Sequence, residues 1–157
     1  MDAQIDIDTD DFNRFCDQMI DSLDPSQGGA METAVLDSMD AYFSAERERF
    51  DVYSERGGDW AEHAPSTIRK RGAGATILIE HGDLRESMNR DGGAHVIEVT
   101  PDGVVEGTIN PVAHYHQSGT KNMPAREILD EPGSETLDEM KTPLVAGVSG
   151  AVRQAAS

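Results

Sequence analysis

The residues best suited to chemistry in this sequence are two histidines, His114 and His116, separated by one residue. On a β-strand alternate residues share a face, so the two imidazoles would lie together and could bind zinc. A third ligand would have to come from another histidine or a carboxylate, because no cysteine lies nearby. Two ligands make a poor zinc site. We therefore predict ordinary histidines and no metal, cofactor or catalytic residue, with a small metalloenzyme as the less favoured alternative.

An acidic run at residues 6–10 resembles the start of a calcium-binding loop, but the match is incomplete. In that register the sixth position is Asp11, where the loop requires glycine. The twelfth position is Asp17, where the loop carries a bidentate glutamate. A helix cap in an acidic chain explains these residues better. Gly57-Gly58 and Gly72-Ala73-Gly74 also lack the lysine spacing of a phosphate-binding loop.

Arg69, Lys70 and Arg71 form the only basic cluster of the sequence. Three bases in a chain of net charge −17 do not make a general nucleic-acid binder, but they suit docking onto an acidic surface of a neighbouring protein. Trp60 either anchors this segment to its own domain or contacts a partner, since tryptophan is enriched at interface hot spots. Arg126 is predicted to pair with an acidic group of its own or a neighbouring subunit. The residues predicted to contact other proteins are Arg56, Trp60, Arg69, Lys70, Arg71, Tyr115 and Arg126.

The composition is that of an acidic chain of single-domain size. It has 157 residues, 30 acidic and 13 basic, and a pI near 4.4. Such a charge repels nucleic-acid phosphates and anionic membrane surfaces. The sequence has no apolar run of the ~18 residues needed for a membrane span, and its start lacks the features of a signal peptide. We expect a protein of the cell interior, or a component of a particle assembled there.

The acidic residues are concentrated at the start of the chain and accompany a shortage of lysine. Residues 1–53 hold fourteen acids and three bases, whereas residues 54–90 hold six of each. Only 3 of the 13 basic residues are lysines, and aspartate outnumbers glutamate by 17 to 13. This composition is typical of proteins that work in molar salt, where the Debye length shrinks to ~3 Å. A halophilic source and an ordinary acidic protein are equally compatible with it.

Apolar spacing predicts two helices at the start of the chain. The first carries a continuous stripe and ends before Asp24-Pro25, and the second runs from about residue 30 to 53. The charged run at 46–49 in the second helix is predicted to be a solvated face, and residues 4–8 are a candidate edge strand. The first stripe comprises Phe12, Phe15, Cys16, Met19, Ile20 and Leu23. The buried side of the second helix comprises Val35, Met39, Tyr42, Phe43 and Phe50.

The rest of the chain predicts a mixture of loops, a hairpin and C-terminal helices. Residues 56–76 are a long loop with a short helical turn from Ser66 or Thr67, and residues 76–79 are a candidate strand. A β-hairpin spans residues 95–109 around the turn Pro101-Asp102-Gly103. Residues 110–130 are predicted to be loop, followed by helices beginning near Ser134 and Pro143.

These elements predict one α+β domain over residues 1–157. N-terminal helices (1–53) pack on a small antiparallel sheet that contains the hairpin. Residues 54–130 hold the long loop 56–76 and the β core. A C-terminal helical part covers residues 131–157. No internal repeat divides the chain.

Short motifs follow one another in order around the hairpin over residues 58–129. They are Trp60, Thr67, Lys70, Leu78, Gly82-Asp83-Leu84-Arg85-Glu86-Ser87, Tyr115-His116-Gln117-Ser118-Gly119 and Met123-Pro124-Ala125-Arg126-Glu127-Ile128-Leu129. In their order and spacing they resemble a protein family of tailed bacteriophages, the virion morphogenesis or tail-completion proteins. Two positions depart from the family pattern: Ser118 stands where an aromatic residue is common, and Glu127 replaces a common proline.

The resemblance implies a structural protein of the virion neck or tail, assembled in the host cytoplasm. It implies a homo-oligomeric ring, commonly of six subunits, between head-closure or connector proteins and tail-tube proteins, and it leaves neck ring and tail terminator open. Packaged DNA would pass an acidic lumen without specific binding. The alternative from another class of protein is an acidic regulator that mimics DNA. The zero net charge of residues 54–90 argues against it.

Overall fold

The computed structural model describes residues 10–156, with side chains from Phe12 onward. Within this range six helices and a two-stranded antiparallel sheet form an α+β fold, which confirms the predicted class. The helices are α1 (Asp10–Leu23), α2 (Gly29–Arg56), α3 (Pro65–Arg71), α4 (Asp83–Glu86), α5 (Pro111–Ser118) and α6 (Ser134–Ala155). The strands are β1 (His95–Thr100) and β2 (Gly103–Thr108), and a 3-10 turn, Pro25–Gln27, joins α1 to α2.

The first two helices form where the apolar spacing predicts them. Asp24 ends α1, and its carboxylate accepts a hydrogen bond from the Ser26 amide (2.8 Å). Helix α2 ends at Gly57, which adopts a positive φ of 87° and donates its amide to the Tyr53 carbonyl (3.0 Å). The stripe of α1 is only partly covered, because Phe12 and Ile20 are 66% and 64% exposed.

Helix α2 is the spine of the fold, and its first half packs against α6. Its 28 residues give it a length of about 42 Å. The two helices approach closely because small residues face each other: a Cβ on Gly147 would collide with that of Ala34, and one on Gly150 would lie 2.9 Å from Ala30. Helix α1 packs on the same helix α6. This end of the molecule is therefore a layer of three helices.

The second half of α2 supports a separate apolar cluster built from the middle of the chain. Phe50 is fully buried, and its ring meets Trp60 edge to face with centroids 5.2 Å apart. Ile77 is fixed beside the helix by its amide, which donates to the Ser54 carbonyl (3.0 Å). The core of this region consists of Phe50, Trp60, Ile77, Leu84, Met88, Ala113 and Ile128.

The predicted hairpin is confirmed, with β1 and β2 paired from His95↔Thr108 to Thr100↔Gly103. Its inner face lies toward α2: His95 meets the ring of Phe43 edge to face, with centroids 5.2 Å apart. His95 Nε2 also lies 2.7 Å from a carboxylate oxygen of Glu106, which further accepts from Arg90. On the other face Val96 and Val105 remain exposed.

Two predicted elements of the middle of the chain differ from the structure. Residues 76–79 are not a strand but a bent segment, in which Leu78 has a φ of 60°. Residues 110–130 are not all loop, because Asn110 and Pro111 start helix α5. Asn110 accepts from the Val112 amide (3.0 Å), and proline suits the first turn because its missing N–H needs no partner. The edge strand at 4–8 lies outside the described residues.

The C-terminal part is one helix rather than two. Helix α6 continues through Pro143, which sits inside it instead of starting a second helix. In the long segment 56–76, the predicted turn is the helix α3. The prediction of a solvated face at residues 46–49 is wrong for Glu46, which is buried. Tertiary contacts with residues 127–130, described below, explain that burial.

Candidate functional site

A polar cleft of about 770 Å³ opens beside α3 and collects the sequence motifs singled out above. Its walls come from three parts of the chain: residues 62–71, residues 78–84, and α5 with the segment 122–126. Its titratable lining residues are Glu62, His63, Arg71, Glu80, His81, Asp83, His116 and Arg126. No other described cavity brings so many ionisable groups together, so we take this cleft as the candidate site.

The wall formed by residues 62–79 is held by side chains that bind its own backbone. His63 Nε2 donates to the carbonyl oxygens of Ala75 and Thr76, each 3.2 Å away. Arg71 donates to the Ile79 carbonyl. Irregular backbone needs such partners because its polar groups have no ladder or helix to satisfy them. The long loop is therefore fixed at both ends of α3.

Arg126 ties the opposite wall to the first. The residue is only 7% exposed, and its Nε and Nη2 donate to the carbonyls of Ala61 (2.8 Å) and Glu62 (2.9 Å). Its amide donates to the His116 carbonyl (2.7 Å). The predicted acidic partner within its own chain is not found: among residues 12–156 no carboxylate forms an ion pair with Arg126. Burial lowers the pKa of its guanidinium.

His116 lies beside this arginine on the last turn of α5. Its Nδ1 is buried and has no hydrogen-bond partner within the described chain. Burial, and then the charge of Arg126, lower the pKa of His116. The imidazole is therefore favoured in its neutral form, next to a cation that has no carboxylate partner in the described part of the chain.

Two further motif residues connect the same segments from behind the cleft. Trp60 Nε1 donates to the Glu127 carbonyl (3.0 Å). The Gln117 side chain accepts from the amides of Ile128 (2.8 Å) and Leu129 (3.0 Å) and donates to the Leu129 carbonyl (2.6 Å). Residues 60–62, α5 and residues 126–129 thus form one hydrogen-bonded unit.

The residues predicted to contact partners fall into two groups. Arg56, Arg69, Lys70 and Tyr115 are exposed, and only the first three carry charge. Trp60, at 7% exposure, lies in the core and has the anchoring role that the sequence left open. Arg126 is equally buried, and Arg71 is half-buried and bound to Ile79. Trp60 and Arg71 therefore hold the fold, and the exposed pair Arg69 and Lys70 is the basic surface.

The zinc hypothesis depended on a strand at His114 and His116, and the structure places both on helix α5. Two residues apart on a helix, side chains point about 200° away from each other. His114 is exposed while His116 faces the cleft. No group of three histidine, cysteine, aspartate or glutamate side chains between residues 12 and 156 is arranged to hold a metal ion.

Sequence reasoning missed the charged cluster that joins α2 to the segment behind the cleft. Glu46 accepts from Arg49 and from the Asp130 amide (3.1 Å). Arg49 in turn donates to the carbonyls of Glu127 (3.3 Å) and Ile128 (3.0 Å). The available signal was position: Glu46 is three residues after Phe43 and four before Phe50, on the apolar side of the helix.

Comparisons with protein-family models, with curated proteins and with solved structures found no match to this chain. Among the helices described, none has the length and apolar composition that crossing a membrane requires.

Proposed function

We propose that this chain is a structural virion protein of a tailed virus, forming a ring in the neck or at the head-proximal end of the tail. The observation that carries the proposal is the connection of the resemblance motifs. Trp60, Gln117 and Arg126 lie up to 66 residues apart, yet all three hold the same unit of residues 60–62, α5 and 126–129. Motifs that define one structural unit are what a shared fold would preserve, and this supports the resemblance.

Exposed apolar side chains on two parts of the molecule, the helical layer and the hairpin, support assembly. On the helical layer Phe12, Ile20 and Val145 are each about two-thirds exposed, and on the hairpin Val96 and Val105 are uncovered. Contiguous exposed apolar surface commonly marks protein interfaces. A ring subunit has such surfaces on two sides, because each copy contacts two neighbours through different faces.

The charge distribution supports the same role. A net charge of −17 suits a lumen through which packaged DNA passes without specific binding, because carboxylates repel phosphates. The exposed bases Arg69 and Lys70 suit contact with an acidic neighbour. The proposed partners are further copies in a ring, commonly six, the adjoining head-closure or connector protein, and the tail-tube protein. The proposed location is the virion, after assembly in the host cytoplasm.

The test is assembly of purified protein, followed by size-exclusion chromatography and negative-stain imaging. We expect rings, or incorporation into neck-deficient particles, for the unaltered chain. The double variant Arg69→Glu/Lys70→Glu should remain folded but fail to assemble. Arg71 is left in place because it binds Ile79. The matched control is Lys121→Glu/Lys141→Glu, which makes the same change in net charge at two other exposed lysines.

Normal assembly of the Arg69→Glu/Lys70→Glu variant would show that the basic surface is not part of the interface. A chain that stays monomeric and does not associate with virion particles would contradict the ring. If such a monomer instead binds nucleic-acid-binding proteins, the acidic DNA-mimicking regulator becomes the better function.

A further inference from the structure

Arg126 is a buried cation that forms no ion pair with a carboxylate among residues 12–156, and this is unusual in a folded protein. Two of its five N–H groups bind the Ala61 and Glu62 carbonyls, and Nη1 has no partner among the described residues. Buried charges are normally paired, because an unpaired charge loses its hydration with nothing in return. The backbone carbonyls satisfy part of the hydrogen bonding of the guanidinium but do not neutralise it.

His116 adds a second unused polar group at the same place. Its Nδ1 is buried and has no hydrogen-bond partner among residues 12–156, its side chain lines the same cleft as Arg126, and its backbone carbonyl accepts the Arg126 amide. A carboxylate bound in the cleft would accept from the remaining N–H groups of Arg126, on Nη1 and Nη2, and from an N–H of His116. Arginine is the residue that most favours a carboxylate, through two parallel N–H···O bonds.

The rim of the cleft restricts which anion fits. Three exposed carboxylates, Glu62, Glu80 and Asp83, line the same cleft, and Arg71, which binds the Ile79 carbonyl, is its only other permanent cation among the described lining residues. These carboxylates repel phosphate and nucleic acids, because such anions carry negative charge and no basic groups that could pair with the carboxylates. A peptide segment meets both demands if its carboxylate reaches Arg126 while basic side chains on either side face the rim. The volume of about 770 Å³ also exceeds the need of one small anion.

We infer that this cleft binds a segment of a partner protein in which one carboxylate lies between basic residues. The carboxylate pairs with Arg126 and hydrogen-bonds to His116, and the flanking bases pair with Glu62, Glu80 or Asp83. The inference does not depend on the virion proposal, because it concerns the isolated chain and is tested on it.

The experiment is nuclear magnetic resonance of the labelled full chain, titrated with two blocked pentapeptides and with inorganic phosphate. The peptides have the sequences AKEKA and AKQKA, which differ only by the carboxylate. We expect AKEKA to shift the Arg126 Nε–H and His116 imidazole signals and to bind at least about tenfold more tightly than AKQKA, about 1.4 kcal/mol. AKEKA should also raise the pKa of His116, because a carboxylate beside the ring favours the imidazolium.

Two variants assign the contact. Arg126→Lys should lose most of the preference for AKEKA, since an ammonium cannot form the parallel pair of bonds. His114→Gln, on the exposed side of α5, should bind as the unaltered chain does. If Arg126→Lys fails to fold, the difference in affinity between AKEKA and AKQKA for the unaltered chain still tests the inference. Equal affinity for the two peptides, no shift at Arg126 or His116, or tighter binding of phosphate than of AKEKA would each overturn the inference.

Discussion

Replacing Glu46 by alanine should destabilise the fold strongly, although the residue lies in a charged run on a helix. Its carboxylate, with 7% side-chain exposure, accepts from Arg49 through both Nε and Nη2 and from the Asp130 amide. Removal leaves the Arg49 guanidinium, at 19% exposure, without its carboxylate, and leaves a backbone amide without an acceptor. The control is Glu48→Ala, two residues away and exposed.

The expected loss follows from what stays behind. Breaking a buried ion pair by deleting one partner costs roughly 3–5 kcal/mol. Arg49 keeps two carbonyl acceptors and some solvent contact, so we expect the lower end, about 3 kcal/mol. For a chain of this size that corresponds to a fall in melting temperature of roughly 6–12 °C. Glu48→Ala should change stability by less than about 0.5 kcal/mol.

Urea unfolding followed by the fluorescence of Trp60, the single tryptophan, measures both variants. A lower midpoint with an unchanged slope reports lost stability. The double variant Glu46→Ala/Arg49→Ala should be less destabilised than the sum of the two single variants, because the groups act as a pair. Additive effects, or a Glu46→Ala variant as stable as Glu48→Ala, would refute the reasoning that this pair holds residues 127–130 to α2.

Four further outcomes are expected. Burial, and then the charge of Glu46, raise the pKa of Tyr42 to about 12. The free energy of unfolding should therefore fall as pH rises from about 10 to 12, because the unfolded state loses the phenol proton first. In urea unfolding, Tyr42→Phe should lack the part of this fall that Tyr42 causes. The pKa of His116 is lowered, so its contribution to the stability of the fold is present above about pH 6.5 and is lost as pH falls. His116→Gln should therefore reduce the fall in melting temperature at acidic pH, whereas His114→Gln should not. Gly147→Leu should lose at least about 1–3 kcal/mol in urea unfolding, because a side chain there collides with α2, whereas the exposed Ala146→Leu should be nearly neutral. Melting temperature and oligomer size should rise between about 0.15 M and 1 M sodium chloride, as the Debye length falls from ~8 to ~3 Å; flat curves would remove the halophilic interpretation.

Periodicity and turn chemistry were enough to predict much of the fold. The stripe from Phe12 to Leu23 and the apolar side of α2 gave both helices, and Pro101-Asp102-Gly103 between β-branched runs gave the hairpin. Helix α5 was missed because its eight residues contain few apolar positions, although Asn110-Pro111 is a helix start. The bent segment at Leu78 was missed because the β-branched residues Ile77 and Ile79 favour a strand, and only tertiary packing selects another conformation.

The candidate site was less predictable, because its parts meet only in three dimensions. Trp60 could be identified as a candidate because it is the single tryptophan of the sequence. Its role as an anchor within the domain was one of two alternatives, the other being contact with a partner. The partners of Arg126 are main-chain carbonyls at positions 61 and 62, which no side-chain pattern announces. Among residues 12–156 Arg126 has no acidic partner, and the other alternative, an acidic group of a neighbouring subunit, stays a prediction.

One physical requirement accounts for several of these arginines. The segments 60–64, 75–80 and 122–130 are largely irregular, so their carbonyls need donors from outside helices and sheets. Arg49, Arg71 and Arg126 supply donors to five such carbonyls, and Arg90 binds a carbonyl of α2. The planar guanidinium can reach two carbonyls at once, as Arg49 and Arg126 do, which an ammonium on a flexible stem does less well. Binding of these carbonyls thus explains the excess of arginine over lysine without any adaptation to high salt. The excess of aspartate is then the remaining sign of a halophilic protein, and the sodium chloride series tests it.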